Sequence, residues 1–357
     1  MRVTSWIVAK PAGPMVLEDR NETAGEGEAL IQVEGCGVCH TDLGYYYDGV
    51  PTRHPFPLTL GHEVSGTVAE AGAGAEDWIG KSVIVPAVIP CGVCEACLSG
   101  NGRICPKQIF PGCDVHGGFG SHLRVPARGL CAVPDLADAR KNPARLELAE
   151  LSVIADAVST PYQAILRSGL QPGDLAVFVG AGGVGGFGVQ LSAALGALVV
   201  AIDVNQDRLE SMTRHGASLA LRADQLDFKS LRRAVQKLAA ERGIPTWRQR
   251  IYETSGTTAG QATAFGLLSH GGHLSIVGFT PDKLEIRLSN VMAIDATVQG
   301  NWGCLPEHYP AILDLVLGGK VAVTPFVEHR PMSRVNQTFE DLRAHRVSKR
   351  VILIPEH

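Results

Sequence analysis

Apolar and polar positions change their period twice along this chain. Up to residue 135 the apolar residues fall in short runs cut by Gly and Pro. Residues 31–33, 64–68, 82–85 and 121–125 read as strands, with no amphipathic helix of any length between them. That texture predicts a small barrel or an irregular β domain. From Leu146 the segment ARLELAELSVIADAVSTPYQAI carries apolar residues at i, i+3 and i+4, predicting helix that Pro161 re-initiates. Strands at 175–179, 198–202, 250–253 and 273–277 then alternate with helical segments, the pattern of βαβ units around a parallel sheet. From residue 303 the elements are again short and mixed, closing on a strand at 350–354. The expected fold class is α/β with a β-barrel. A first domain spans 1–157, a doubly wound parallel-sheet domain spans 158–302, and 303–357 returns to the first.

Composition narrows the function classes. A chain of 357 residues exceeds what one hydrophobic core usually serves, in keeping with two domains. The net charge of −4 comes without blocks of like charge, so neither nucleic acid nor a membrane surface is an expected partner. The N-terminal MRVTSWIVAKPAGP has no cationic stretch followed by a long apolar run, and no segment approaches a spanning length; the expected location is cytoplasmic. Nine cysteines, an odd number, suit a reducing compartment.

Four of them stand out. Cys91, Cys94, Cys97 and Cys105 are spaced C-x2-C-x2-C-x7-C within a Gly-rich stretch, 90–106, that has almost no apolar residues to bury. Four thiolates on a compact loop can close a tetrahedral shell around Zn²⁺, and metal binding then supplies the folding free energy. The alternative is a pair of disulfides or a redox cluster. Cys36, Cys113, Cys131 and Cys304 show no ligand spacing and read as small buried residues.

A cofactor signal lies in AVFVGAGGVGGFGVQLSAALGA. Gly180, Gly182 and Gly185 form G-x-G-x-x-G after an apolar strand and before a helix, with Gly183 and Val184 completing the turn. Such a turn brings backbone amides and a helix N-terminus to a pyrophosphate. Asp203 ends the next strand, 18 residues after Gly185, where a carboxylate accepts from ribose hydroxyls and repels a 2′-phosphate. This favours NAD over NADP. A Gly-rich packing turn, with Asp203 as a helix N-cap, is the bland alternative.

A second metal site needs residues distant in sequence. GCGVCHTD (35–42) supplies Cys39, and GHE (61–63) supplies His62 and Glu63. Each fragment alone reads as a satisfied core residue as readily as a ligand. In combination, GCGVCHTD, GHE, the four-cysteine lobe, ADAVSTPY, GAGGVG and the closing RVSKRV make the chain resemble the zinc-containing medium-chain alcohol dehydrogenases along essentially its whole length.

That resemblance implies a GroES-like catalytic domain formed by the N-terminal part and the last residues, with a Rossmann domain inserted and the catalytic zinc in the cleft between them. It implies NAD and two Zn²⁺ per subunit, one catalytic and one structural, a small-molecule alcohol as substrate, and a homodimer or homotetramer. Cys39 and His62 fall on the first two zinc ligands, and Glu63 on the carboxylate that can approach the metal. Asp156 stands where the family usually has a cysteine; it either ligates the zinc or points elsewhere. Thr41 matches the hydroxyl that takes the substrate's proton, and Asp42 the carboxylate orienting His62. His40 and Arg350 match contacts to the pyrophosphate, and Asn301 lies in the run that meets the carboxamide. Gly44 replaces the histidine of the usual proton relay.

The loops 42–52, 77–87 and 117–128 are further similar to the 6-hydroxycyclohex-1-ene-1-carbonyl-CoA dehydrogenases of anaerobic benzoyl-CoA degradation. This implies a cyclic secondary alcohol carried as a CoA thioester. Tyr45, Tyr46, Tyr47, Phe119 and Trp302 are then candidate pocket walls, and Arg53, His54, Arg124 and Lys283 candidate partners of the CoA phosphates. Loop packing and solvated surface are the respective alternatives. A dehydrogenase of free alcohols or polyols is the nearest rival. A zinc-independent enoyl reductase or a non-enzymatic protein of the same fold would have no need of these ligands.

Overall fold

Strands β1 (Arg2–Val8) and β2 (Met15–Asn21) pair as an antiparallel hairpin in the computed structural model, which describes residues 1–356. Next come β3 (Glu28–Gly37), the helix α1 (His40–Tyr47), β4 (Glu63–Ala71), β5 (Ser82–Val85), the short α2 (Glu95–Leu98), β6 (His122–Pro126) and β7 (Cys131–Ala132). β3 lies centrally, antiparallel to both β4 and β6, and is accordingly apolar and buried along most of its length. Apolar residues of this unit, among them Val8, Ile31, Val64, Phe119 and Phe339, form one core.

The second unit starts in α3 (Ser159–Arg167) and runs through β8 (Leu175–Val179), α4 (Gly185–Ala194), β9 (Leu198–Asp203), α5 (Gln206–Arg214), β10 (Leu219–Arg222), α6 (Phe228–Glu241), β11 (Gln249–Glu253), α7 (Thr258–Leu267), β12 (His273–Ile276), α8 (Ser289–Ala293) and β13 (Thr297–Gly300). Its sheet is parallel throughout in the order β10-β9-β8-β11-β12-β13. This is a doubly wound arrangement whose order reverses between β8 and β11, and ligands of such sheets bind outside the strand ends at that switch point. β8 is buried at every position, as a strand covered on both faces must be.

The chain returns to the first unit with α9 (Tyr309–Leu317), β14 (Val327–Pro331), α10 (Val335–Arg343) and β15 (Arg350–Ile354), giving the sheet order β14-β15-β3-β4-β5-β7 with β6 paired to β3. The division falls between Ser159 and Thr160 and between Trp302 and Gly303, with residues 320–322 also grouped in the second unit.

Two expectations need correction. An eight-residue helix, α1, does interrupt the β-rich N-terminal part. Its start is encoded locally, because Asp42 Oδ2 accepts from the Cys39 amide at 2.9 Å and so caps the first turn. The segment after Leu146 is a 3₁₀ stretch, Ala149–Ala155, rather than an amphipathic helix. Residues 150–155 are all buried, so the segment has no solvent face and its packing overrides the apparent helical period.

Candidate functional site

The four lobe cysteines meet. Their sulfur atoms lie within 4.8 Å of one another, with Cys94 Sγ 3.5 Å from Cys97 Sγ, Cys94 Sγ 3.7 Å from Cys105 Sγ and Cys91 Sγ 3.9 Å from Cys97 Sγ. A tetrahedral Zn²⁺ with bonds of about 2.3 Å separates its sulfurs by about 3.8 Å. All four are free thiols, which removes the disulfide alternative. Amide hydrogen bonds, first that of Val93, draw the Cys91 thiol down to about 6, while burial and the neighbouring thiols push that of Cys97 up. The donor set fits zinc.

The second cluster gathers Cys39, His62, Glu63 and Asp156, again with one ligand atom of each within 4.8 Å of the others. Cys39 is the N-cap of α1, at the end of β3; His62 precedes β4; Asp156 ends the 3₁₀ stretch. Asp156 Oδ2 is 3.6 Å from Cys39 Sγ and 3.5 Å from His62 Nε2. Thr41 Oγ1 lies 3.7 Å from Cys39 Sγ.

Asp42 has three tasks. Besides capping α1, its Oδ1 accepts from the Gly61 amide at 3.1 Å and stands 3.3 Å from His62 Nδ1. Gly61 has φ +95°, and a side chain there would strike Phe119 and Cys36, so only glycine presents His62 in this way. Neither nitrogen of the buried His62 ring has a well-aligned hydrogen bond. Burial opposes charge on that ring, yet Asp42, Asp156 and Cys39 raise its pKa well above the usual histidine range. The thiol, imidazole and carboxylate that converge here are donors a divalent cation takes, and one held by Cys39, His62 and Asp156 fits them.

Glu63, though one of its oxygens lies in this cluster, is also paired with an arginine. Arg350 Nε donates to its Oε2 at 2.7 Å, Arg350 Nη2 donates to Oε1, and the Ala157 amide donates to Oε1 at 3.0 Å. Both residues are buried. Arg350, expected at a pyrophosphate, therefore spends its guanidinium on a carboxylate within its own unit. Breaking such a pair strands a buried charge. Arg350→Leu should destabilise the first unit by about 3–5 kcal/mol, read as a lower midpoint in urea unfolding; an unchanged midpoint would show that Glu63 does not need the partner.

In the second unit the turn from Gly180 to Gly185 joins β8 to α4. Gly180 has φ +98°. The amides of Gly182, Gly183 and Val184 find no acceptor among the described residues, as an anion-binding turn requires. Asp203 accepts from the amides of Ala181 at 2.6 Å and Asn205 at 2.8 Å. It is not the N-cap of α5, a place taken by Asn205. Arg208 Nη1 approaches Asp203 to 4.0 Å. The turn fits a dinucleotide.

Asn301 is tied into the second unit, donating from Nδ2 to the Thr160 carbonyl at 3.2 Å, and Trp302 is exposed. His40 is exposed at the first position of α1. Tyr46 and Phe119 are not wall residues, because both are buried in the first core against Phe339, and the Tyr46 hydroxyl donates to the Gly13 carbonyl. Tyr47 packs on the same ring and carries the Arg343 guanidinium 4.3 Å from its centroid. Arg53 pairs with Asp114. His54 and Arg124 border a cavity of ≈ 100 Å³ with Arg20, Glu22, Val115 and His116. There burial, Arg20 and His54 hold His116 down to about 4.

Residues that the pattern did not single out are Thr254, whose hydroxyl donates to the Gly180 carbonyl, and Glu253, which fastens the loop that carries it. Their only signal was position, at the end of a strand beside the Gly-rich one.

Two family models and several known proteins match the chain. Residues 25–135 match the alcohol dehydrogenase GroES-like domain, and residues 183–318 match the zinc-binding dehydrogenase family. The chain is 29% identical over 331 residues to an alcohol dehydrogenase of Geobacillus stearothermophilus, covering 92% of this chain and 91% of that one. It is 30% identical over 337 residues to an L-threonine 3-dehydrogenase of Bacillus velezensis, with 92% of each covered. The crystal structure of the alcohol dehydrogenase from Aeropyrum pernix is similar with a TM-score of 0.85 and 28% identity, over 99% of this chain and 100% of that one. Among the described residues no helix is long and apolar enough to cross a membrane.

Proposed function

The chain belongs to the zinc-binding alcohol dehydrogenase family, and from that premise we propose that it oxidises a cyclic secondary alcohol to a ketone with NAD⁺, the alcohol being carried as a CoA thioester. The observation that carries the chemistry is the convergence of Cys39, His62 and Asp156 in a chain that also holds a dinucleotide turn.

Zinc, when bound, supplies Lewis acidity toward an alcohol oxygen, and NAD⁺ supplies the hydride acceptor. Cys39, His62 and Asp156 would hold the metal, leaving a fourth position open for substrate. Asp42 fixes the ring orientation of His62 through Nδ1. Thr41 Oγ takes the proton of the substrate hydroxyl. Gly44 has no side chain to receive it next, so the proton leaves through water or a ribose hydroxyl. The turn at 180–185 receives the pyrophosphate, and Asp203 favours the unphosphorylated ribose. In balance, a secondary alcohol and NAD⁺ give a ketone, NADH and one proton.

The substrate reading rests on the similarity of segments 42–52, 77–87 and 117–128 to the 6-hydroxycyclohex-1-ene-1-carbonyl-CoA dehydrogenases. The test is NADH formation from that thioester beside cyclohexanol, a primary aliphatic alcohol and sorbitol, with NADP⁺ as the competing cofactor. Turnover of the thioester with NAD⁺, and little of the free alcohols, is the expected result. The reverse preference would leave an alcohol or polyol dehydrogenase and discard the thioester.

A further inference from the structure

The Gly-rich turn is gripped from two sides. On the β9 side Asp203 holds the Ala181 amide. On the β11 side the grip comes from Thr254, the residue directly after the strand. Its backbone amide donates to the Val179 carbonyl at 2.9 Å, and its hydroxyl donates to the Gly180 carbonyl at 2.7 Å. The fit leaves no slack. A Cβ on Gly180 would lie 2.6 Å from the Ser255 backbone, and a Cβ on Gly185 would lie 1.9 Å from the Gly180 carbonyl oxygen and 2.5 Å from Thr254 Oγ1.

The loop that carries Thr254 is itself fastened. Glu253 is fully buried, and its Oε1 accepts from the Ser255 amide at 2.8 Å, the Ser255 hydroxyl at 2.6 Å and the Gly256 amide at 3.1 Å. One carboxylate oxygen thus folds residues 253–256 into a rigid strap across the switch point of the sheet.

A peptide plane has one free rotation about its flanking bonds, so fixing the carbonyl of Gly180 fixes the direction of the amide that follows it and constrains the turn beyond. The amides of Gly182, Gly183 and Val184 are the ones left open toward a ligand. We propose that Thr254 is a positioning residue for the dinucleotide, its hydroxyl locking the Gly180 carbonyl so that the turn presents its open amides preorganised. This rests on the reading of the turn as a nicotinamide-cofactor site. Preorganisation is expressed in affinity, since a turn that must be ordered by the ligand binds it more weakly.

The test compares wild type, Thr254→Val, which keeps the shape and removes the donor, and Thr254→Ser, which keeps the donor. NADH binding is followed by its fluorescence, and steady-state constants are measured for cofactor and alcohol separately. The lost hydrogen bond should weaken NADH binding about tenfold in the valine variant. KM for NAD⁺ should rise with it, while kcat at saturating NAD⁺ and KM for the alcohol hold within about twofold. The serine variant should bind as wild type. Exchange of the Ala181 amide, which donates to Asp203, should quicken in the valine variant only. Should that variant fail to fold, Thr254→Ala carries the same comparison. Wild-type affinity in the folded valine or alanine variant, or equal weakening in the serine variant, overturns the proposal while leaving the cofactor reading intact. Wild-type protein that binds neither NADH nor NADPH overturns both.

Discussion

Asp156→Ala protein is expected to purify with one zinc per chain in place of two and to lose alcohol oxidation by about a thousandfold or more. The ligand set explains the size. Asp156 Oδ2 sits 3.6 Å from Cys39 Sγ and 3.5 Å from His62 Nε2; with Glu63 held by Arg350, its removal leaves Cys39 and His62 as donors, and two donors do not hold a catalytic metal. The Lewis acid then lost is worth several kcal/mol in the transition state, and each 1.36 kcal/mol is about a factor of ten in rate. A carboxylate is also a harder ligand than thiolate. Graded chelation of the wild type should therefore empty this site before the four-cysteine site, and Asp156→Cys should retain the metal against more chelator. Elemental analysis beside initial rates decides it. Two zinc ions and undiminished rates in the alanine variant would remove Asp156 from the metal.

Cys97→Ser should cost the other zinc and unfold the lobe around it. The lobe has little else to hold it together. Its only regular α-helix is the four-residue α2, and Val93, Leu98 and Ile104 are exposed at 76%, 77% and 66% rather than packed. Structural zinc in such a setting contributes about 10 kcal/mol or more of folding free energy, so a missing thiolate removes most of what orders the segment. Limited proteolysis should cut the variant within 90–106, where the zinc-loaded wild type resists. NADH binding should survive, because the Gly180 turn and Asp203 belong to a unit with its own core. A protease-resistant serine variant that keeps two zinc ions would show that the lobe folds without the metal.

The two predictions differ in how far sequence could lead to them. The four lobe cysteines span 15 residues, and their spacing alone brings the sulfurs within reach of one ion. The doubly wound sheet was equally legible. Two of its inner strands, β8 and β9, are buried on both faces and read as the apolar runs LAVFV and LVVAI, each followed by turn residues and a helix. The order G-x-G-x-x-G, helix, strand, Asp203 is likewise a local arrangement, because a βαβ unit is one continuous piece of chain.

Elsewhere local pattern misled or was silent. The apolar period after Leu146 predicted helix where burial on every side produces a 3₁₀ stretch. Tyr46 and Phe119 looked like pocket walls because aromatic residues suit both pockets and cores, and only the position of Phe339, on α10, assigns them to the core. Cys39, His62 and Asp156 could be named from motifs, but 117 residues separate Cys39 from Asp156, and their approach to 3.6 Å is set by β3, β4 and the 3₁₀ stretch packing together. The Glu63–Arg350 pair joins residues 287 positions apart, through a sheet that places β15 beside β3. Sequence by itself determined the alternating strands and helices of the second unit, the four-cysteine lobe and the Gly-rich turn, since each is completed by interactions within a short stretch. Tertiary structure alone decided which distant side chains share a dielectric environment, and hence which carboxylate lies beside Cys39 and His62 and which also pairs with Arg350, because burial and partner distance are properties of the packed chain.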